Sequence, residues 1–144
     1  MISEKRLRQY FRKIEHINQS LKLVIDWISE KSEEEFLRDI KTRYATYKAF
    51  QEAVEAAMDI VAMLVKDAGM LPKDDYSNIE TLKSKSIIKP EIADALAQCN
   101  SLRNWLIHKY NKLDDKIAFE KINELIEWLE GFIEVVEDWL KKHS

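Results

Sequence analysis

Leu7, Phe11, Ile14, Leu21, Ile25 and Ile28 recur at alternating spacings of four and three, with Asn18 filling the one missing step. Residues so spaced form a single stripe on a helix. The pattern therefore predicts a first helix over roughly residues 3–30 with this seam as its buried face. Asn18 within the seam would set register or meet a polar neighbour.

Ser32-Glu33-Glu34-Glu35 reads as a capping box, in which the serine oxygen and Glu35 satisfy free amides at a helix start. Phe36, Ile40, Tyr44, Tyr47, Val54, Met58, Val61 and Val65 then continue a helical pattern up to Gly69, a natural glycine stop. A pattern from roughly 33 to 68 is long for one globular helix, so a break is expected near Asp39–Thr42, with the main helix from about 42 to 68. The segment Gly69-Met70-Leu71-Pro72-Lys73-Asp74-Asp75 is the clear loop. Ser77-Asn78-Ile79-Glu80 offers a second capping box for a short helix to about Ser84. Pro90 suits the first turn of a helix running to about Lys109. After a short loop from Asn111, Asp114 can cap a last helix that ends near Lys141. That helix shows one broad apolar face of Ile122, Leu125, Ile126, Leu129, Phe132, Ile133, Val136 and Leu140.

Only two glycines and two prolines occur in 144 residues, which suits long helices and argues against many hairpins. At 46% hydrophobic and 34% charged, the chain can bury a core and remain soluble. The expected fold is all-α: an up-down bundle of four main helices with a short extra helix, forming one domain over residues 1–144. Cys99 is the single cysteine, so no intrachain disulfide is possible, and its place in an apolar stripe is that of a small buried hydrophobe. A polar start without a leader and no apolar run approaching ~20 residues make a cytoplasmic protein, without contact to membranes, the expectation.

The net charge of −3 excludes a uniformly basic nucleic-acid binder, but the charges are unevenly spread. Lys5, Arg6, Arg8, Arg12 and Lys13 open the chain, whereas Glu120, Glu124, Glu127, Glu130, Glu134 and Glu137 crowd the last helix. Such an asymmetry could steer RNA to one side. Solvated helix faces paired with each other are the better explanation for most of these charges.

Polar groups of a different kind gather at residues 103–110. Residues five apart on a helix are rotated by about 140°, so Arg103 and His108 do not share a stripe. Asn104 and His108, four apart, do share one, and Arg103 and Tyr110, seven apart, share another. Cys99, Leu102 and Leu106 should face inward. Histidine can give or take a proton near neutral pH, and arginine binds phosphate in a fork and stabilises the charge that builds on it. Together they suit metal-free RNA cleavage, in which the ribose 2′-hydroxyl loses a proton and the leaving 5′-oxygen gains one. One chain supplies one such histidine, so two motifs facing each other in a symmetric dimer would make a fuller site. Each residue also has an ordinary explanation: a capping histidine, an ion-paired arginine, a core-edge tyrosine.

The ordered pattern Arg103-Asn104-x-x-x-His108-x-Tyr110 resembles the Arg-x4-His-x-Tyr signature of the HepT-like branch of the HEPN superfamily. The segment Tyr44 to Gly69, with Ala53-Val54-Glu55-Ala56-Ala57-Met58-Asp59-Ile60, looks like that family's central helix. Tyr76 to Leu82 and Ile87-Ile88 look like the lead-in to its motif helix. The resemblance implies a HEPN-like, homodimeric toxin that cleaves RNA without metal and is held in check by a minimal nucleotidyltransferase antitoxin. It implies catalytic roles for Arg103 and His108, a supporting role for Asn104, and Tyr110 as the residue to which the partner attaches AMP. No cofactor is implied, and no glycine-rich phosphate loop is present.

Two other readings stay open at this level. One is a non-catalytic helical partner, or substrate-binding subunit, of a nucleotidyltransferase. The other is a structural helical dimer whose polar cluster is an interface network. Elsewhere, His16 lacks a second ligand one helical turn away, which disfavours zinc, and His143 falls in a tail expected to fray. Asp74-Asp75 and Asp114-Asp115 suit turn and cap roles.

Overall fold

In the computed structural model, which describes residues 1–108 and 114–144, Ser3 accepts a hydrogen bond from the Arg6 amide and starts helix α1, Glu4–Ser29. Ser32 and Glu35 close the expected capping box on the short α2, Glu33–Arg38. Asp39 ends α2 in an extended conformation and accepts from Thr42 N, which starts α3, Ile40–Asp67. The expected break thus falls on a single residue. The six residues before it form a helix of their own, so the described chain has two short helices rather than one.

Ala68 caps α3, and the next residue, Gly69, turns the chain away at a φ of +87° that only glycine adopts cheaply. There Met70 N donates to Val65 O and Gly69 N to Lys66 O, the paired bonds of a Schellman stop. α4 spans Asp75–Ser84 and is capped by Asp74, not by the Ser77 box the sequence suggested; Ser77 N donates to the Asp74 side chain instead. α5 spans Pro90–His108 and α6 spans Asp115–His143, the latter capped by Asp114 as expected.

The four long helices alternate in direction. Arg6 and Lys13 near the start of α1 pair with Asp67 and Asp59 near the end of α3. Lys121 of α6 donates to Gln98 of α5, and Ile2 N donates to His143 O, bringing the ends of the chain together. His143, expected in a fraying tail, has contacts that close the end of α6. Its ring stacks on Trp139 at 4.1 Å, and its Nδ1 lies 2.7 Å from Trp139 O. One contiguous core runs through all six described helices. Phe36 carries α2 into it, meeting Tyr47 of α3 and Phe119 of α6 at ring distances of 6.1 and 4.8 Å. No described helix is long and apolar enough to cross a membrane.

The buried seam of α1 differs from the one expected. Tyr10, Ile14, Ile17, Leu21, Val24 and Ile28 face the core, while Phe11 is 51% exposed, Ile25 is at the surface and Asn18 is exposed. Both stripes keep the three-four spacing and share Ile14, Leu21 and Ile28. The choice is decided by Tyr10, whose ring fills the core while its hydroxyl donates to Asp67 at 2.6 Å. Ile40 and Tyr44 of α3, expected on the apolar face, are likewise exposed.

Candidate functional site

α5 is set by its apolar face: Ile92, Leu96, Cys99, Leu102 and Leu106 are buried against the bundle. Cys99, Leu102 and Leu106 point inward as anticipated, and burial pushes the Cys99 thiol up to about 12. The helix is continuous through its last residue, His108. Asn104 and His108 therefore share a face, and Arg103 is turned about 140° from His108. His108 is exposed and Asn104 half-buried. Tyr110, the expected modification point, lies outside the described residues, as do the expected helix end near Lys109 and the expected loop from Asn111.

Arg103 is largely embedded, its side chain 15% exposed. Its Nη2 donates to Asn100 Oδ1 at 2.6 Å and to Asp75 Oδ2 at 3.1 Å. Its Nη1 stands 3.8 Å from Glu55 Oε1, an ion pair without a hydrogen bond. Nε is buried and has no hydrogen-bond partner among the described residues. Three elements thus converge on one guanidinium: α3 through Glu55, the first turn of α4 through Asp75, and α5 through Asn100. Because Asp74 serves as the α4 cap, Asp75 is turned toward Arg103.

None of those three neighbours was anticipated as a site residue. Asn100, only 1% exposed, is a buried amide with no sequence motif around it. Glu55 did carry a signal: a carboxylate within Ala53-Val54-x-Ala56-Ala57-Met58, a run buried at every other position, needs a polar or charged partner. Asp75 was assigned to the loop and gave no such sign.

On the other side of α5, a groove of about 430 Å³ opens toward α6, lined by Leu102, Trp105 and Ile117 with Gln98, Ser101 and Lys121. Ser101 Oγ and Tyr76 Oη are 2.8 Å apart at its rim. Ser101, Trp105 and His108 follow one another at spacings of four and three, so this groove and His108 lie along the same side of the helix. Among the described residues no group of three or more His, Cys, Asp or Glu side chains could hold a metal ion. The basic start of α1 is largely paired: Arg6 with Asp67, Lys13 with Asp59, Arg8 with Glu4.

The family model described as "Ribonuclease HepT-like" matches residues 9–136. A protein of Archaeoglobus fulgidus named "Putative RNase" is 41% identical over 140 residues, covering 95% of this chain and 97% of its own. The "tRNA nuclease HepT" of Aphanizomenon flos-aquae is 23% identical over 143 residues, covering 97% of this chain and 90% of its own. Among solved structures, the tri-AMPylated HEPN toxin of Shewanella oneidensis in complex with MNT antitoxin superposes with a TM-score of 0.85. It is 21% identical, and the match covers 95% of this chain and 99% of that one.

Proposed function

This chain belongs to the HepT-like ribonuclease family of HEPN proteins, and from that premise we propose that it is an endoribonuclease toxin that cuts RNA without a metal ion. The observation that carries the reading is the motif's placement. Arg103 is anchored against three elements, while five residues on His108 stands exposed at the end of the same helix.

His108 transfers protons: the ribose 2′-oxygen forms a bond to phosphorus as its proton leaves, and the P–O5′ bond breaks as the 5′-oxygen is protonated. Arg103 stabilises the charge that builds on the phosphate. Asn104, on the face of His108, orients the imidazole or a phosphate oxygen. Base and acid are two roles, and each chain brings one motif histidine, so the working unit is a homodimer with two motifs across a cleft. The whole of residues 1–144 acts as one HEPN-like domain in the cytoplasm. Transfer RNA is the first substrate class to try, given the named nuclease among its relatives.

The regulatory partner is a minimal nucleotidyltransferase antitoxin that attaches AMP to Tyr110. Seven residues from Arg103, a bulky phosphodiester would neutralise the phosphate site. Co-expression with the nucleotidyltransferase followed by intact-mass measurement tests this: mass added in AMP units should vanish in Tyr110→Phe, and no added mass removes the claim.

One observation favours a second reading. Arg103 is already paired with two carboxylates, as in a structural ion-pair network, which suits a non-catalytic subunit of a nucleotidyltransferase. The two readings separate on RNA cleavage by the purified protein with chelator present. Cleavage that disappears in His108→Ala and Arg103→Ala supports the nuclease. Nucleotidyltransferase binding that survives both substitutions, with no cleavage by any form, supports the subunit.

A further inference from the structure

Arg103 is held by more than ion pairing. Two acceptors from different helices converge on the single nitrogen Nη2: Asn100 Oδ1 at 2.6 Å and Asp75 Oδ2 at 3.1 Å. Asn100 is buried, and a buried amide is retained only where its hydrogen bonds repay its desolvation. Two directions fixed at one nitrogen fix the plane of the whole guanidinium, since the group is rigid and planar. The contact of Nη1 with Glu55, at 3.8 Å, constrains it far less.

We propose that Asp75 and Asn100 are positioning residues that clamp Nη2 of Arg103, so that its guanidinium is oriented before an RNA phosphate arrives. The proposal rests on the reading of Arg103 as the phosphate-stabilising group. Donors aimed in advance at developing charge stabilise a transition state without reorganising during the reaction. A long arginine side chain lacks that order unless its surroundings impose it. Asn100 supplies the fixed point within α5, and Asp75 ties the guanidinium to α4.

Asp75 gives the cleaner test. Its side chain is 37% exposed, and the α4 cap is Asp74, so Asp75→Ala leaves both fold and cap in place. The experiment measures steady-state cleavage of a labelled RNA by the full chain, its Asp75→Ala, Asp75→Asn, Arg103→Ala and Arg103→Lys variants, and the Asp75→Ala/Arg103→Lys double variant. Clamping predicts that Asp75→Ala lowers kcat about ten-fold or more with KM little changed, as misplacement of a catalytic group does. Asp75→Asn, which keeps an acceptor oxygen, should recover part of the loss. In the Arg103→Lys background Asp75→Ala should cost nothing further, because both act through one guanidinium.

A kcat within about two-fold of wild type in Asp75→Ala, beside lost cleavage in Arg103→Ala, would overturn the clamp and leave the nuclease reading standing. A fall in KM at constant kcat would overturn it too, showing that Asp75 only repels the substrate. Losses that multiply in the double variant place Asp75's effect elsewhere and have the same consequence. Full activity in Arg103→Ala would remove the nuclease mechanism itself, and the clamp with it.

Discussion

Tyr47 of α3 donates its hydroxyl proton to Asp115 Oδ1 at 2.5 Å, joining residues 68 apart at the point where α6 begins. Arg43, one turn earlier on α3, faces the same carboxylate at 3.5 Å. Tyr47 is 4% exposed, and its ring packs edge-on against Phe36. This junction ties the first residue of α6 to the face of α3.

Tyr47→Phe keeps the ring and removes the hydrogen bond. Loss of one such bond costs about 1 kcal/mol, readable as a shifted urea midpoint with an unchanged m-value. A pH signature accompanies it. Burial first, and the bond to Asp115 second, raise the Tyr47 phenol above its ordinary value of 10.0. A group raised in the folded state stabilises fully below its unfolded pKa and loses that contribution as pH rises beyond it. Wild-type stability should therefore fall above about pH 10, and the fall should be smaller in Tyr47→Phe. An identical alkaline profile would contradict this account.

Asp39 predicts the opposite limb. Its carboxylate accepts from the Thr42 amide and hydroxyl and pairs with Lys31 at 3.2 Å. The backbone bond from Thr42 is the main cause that lowers it from 3.8 to about 2. A depressed folded value stabilises above the unfolded one and is lost as pH falls through the folded one. Asp39→Ala should be less stable than wild type at neutral pH, and the gap should close between about pH 4 and pH 2 in pH-dependent melting.

Ser86 is the one described non-glycine residue with positive φ, at 58°. It takes the glycine place in the stop of α4, with Ser86 N donating to Lys83 O and Ile87 N to Leu82 O. Ser86→Gly removes the Cβ penalty of that conformation and should raise stability by about 0.5–1 kcal/mol, net of glycine's added freedom in the unfolded chain. A lowered melting temperature would show that the serine side chain makes up for its strain.

Cys99 is 0% exposed, and burial holds its thiol protonated near neutrality. A thiol-reactive dye should label it only at the rate of unfolding and label it completely in denaturant. Rapid labelling of the native protein would mean that α5 opens locally.

Much of this architecture is legible in the sequence because it rests on periodicity and caps. Ser32, Asp114, Pro90 and Gly69 act where local chemistry says they should. The differences come from positions that periodicity alone does not rank. Tyr10 counts as polar-tipped in a hydropathy pattern but is fully buried because Asp67 accepts its hydroxyl. Phe11 and Ile25, apolar by any scale, are left outside. Asp74 overrides Ser77 as a cap because it stands at the residue where the chain turns into the helix. At the candidate site, spacing alone separates Arg103 from His108 on α5. The partners of Arg103 come from α3 and α4, and contacts between elements distant in sequence leave no periodic trace.

RNA cleavage by the proposed Arg103–His108 motif can be measured directly. Purified protein, freed of any nucleotidyltransferase, is incubated with labelled transfer RNA in excess chelator, beside His108→Ala and Arg103→Ala variants shown to fold by circular dichroism. The wild type should give cleavage products ending in 2′,3′-cyclic phosphate, with a rate lower by about 10²-fold or more in each variant. Undiminished cleavage in His108→Ala, or cleavage that appears only when metal is restored, would contradict the proposed mechanism.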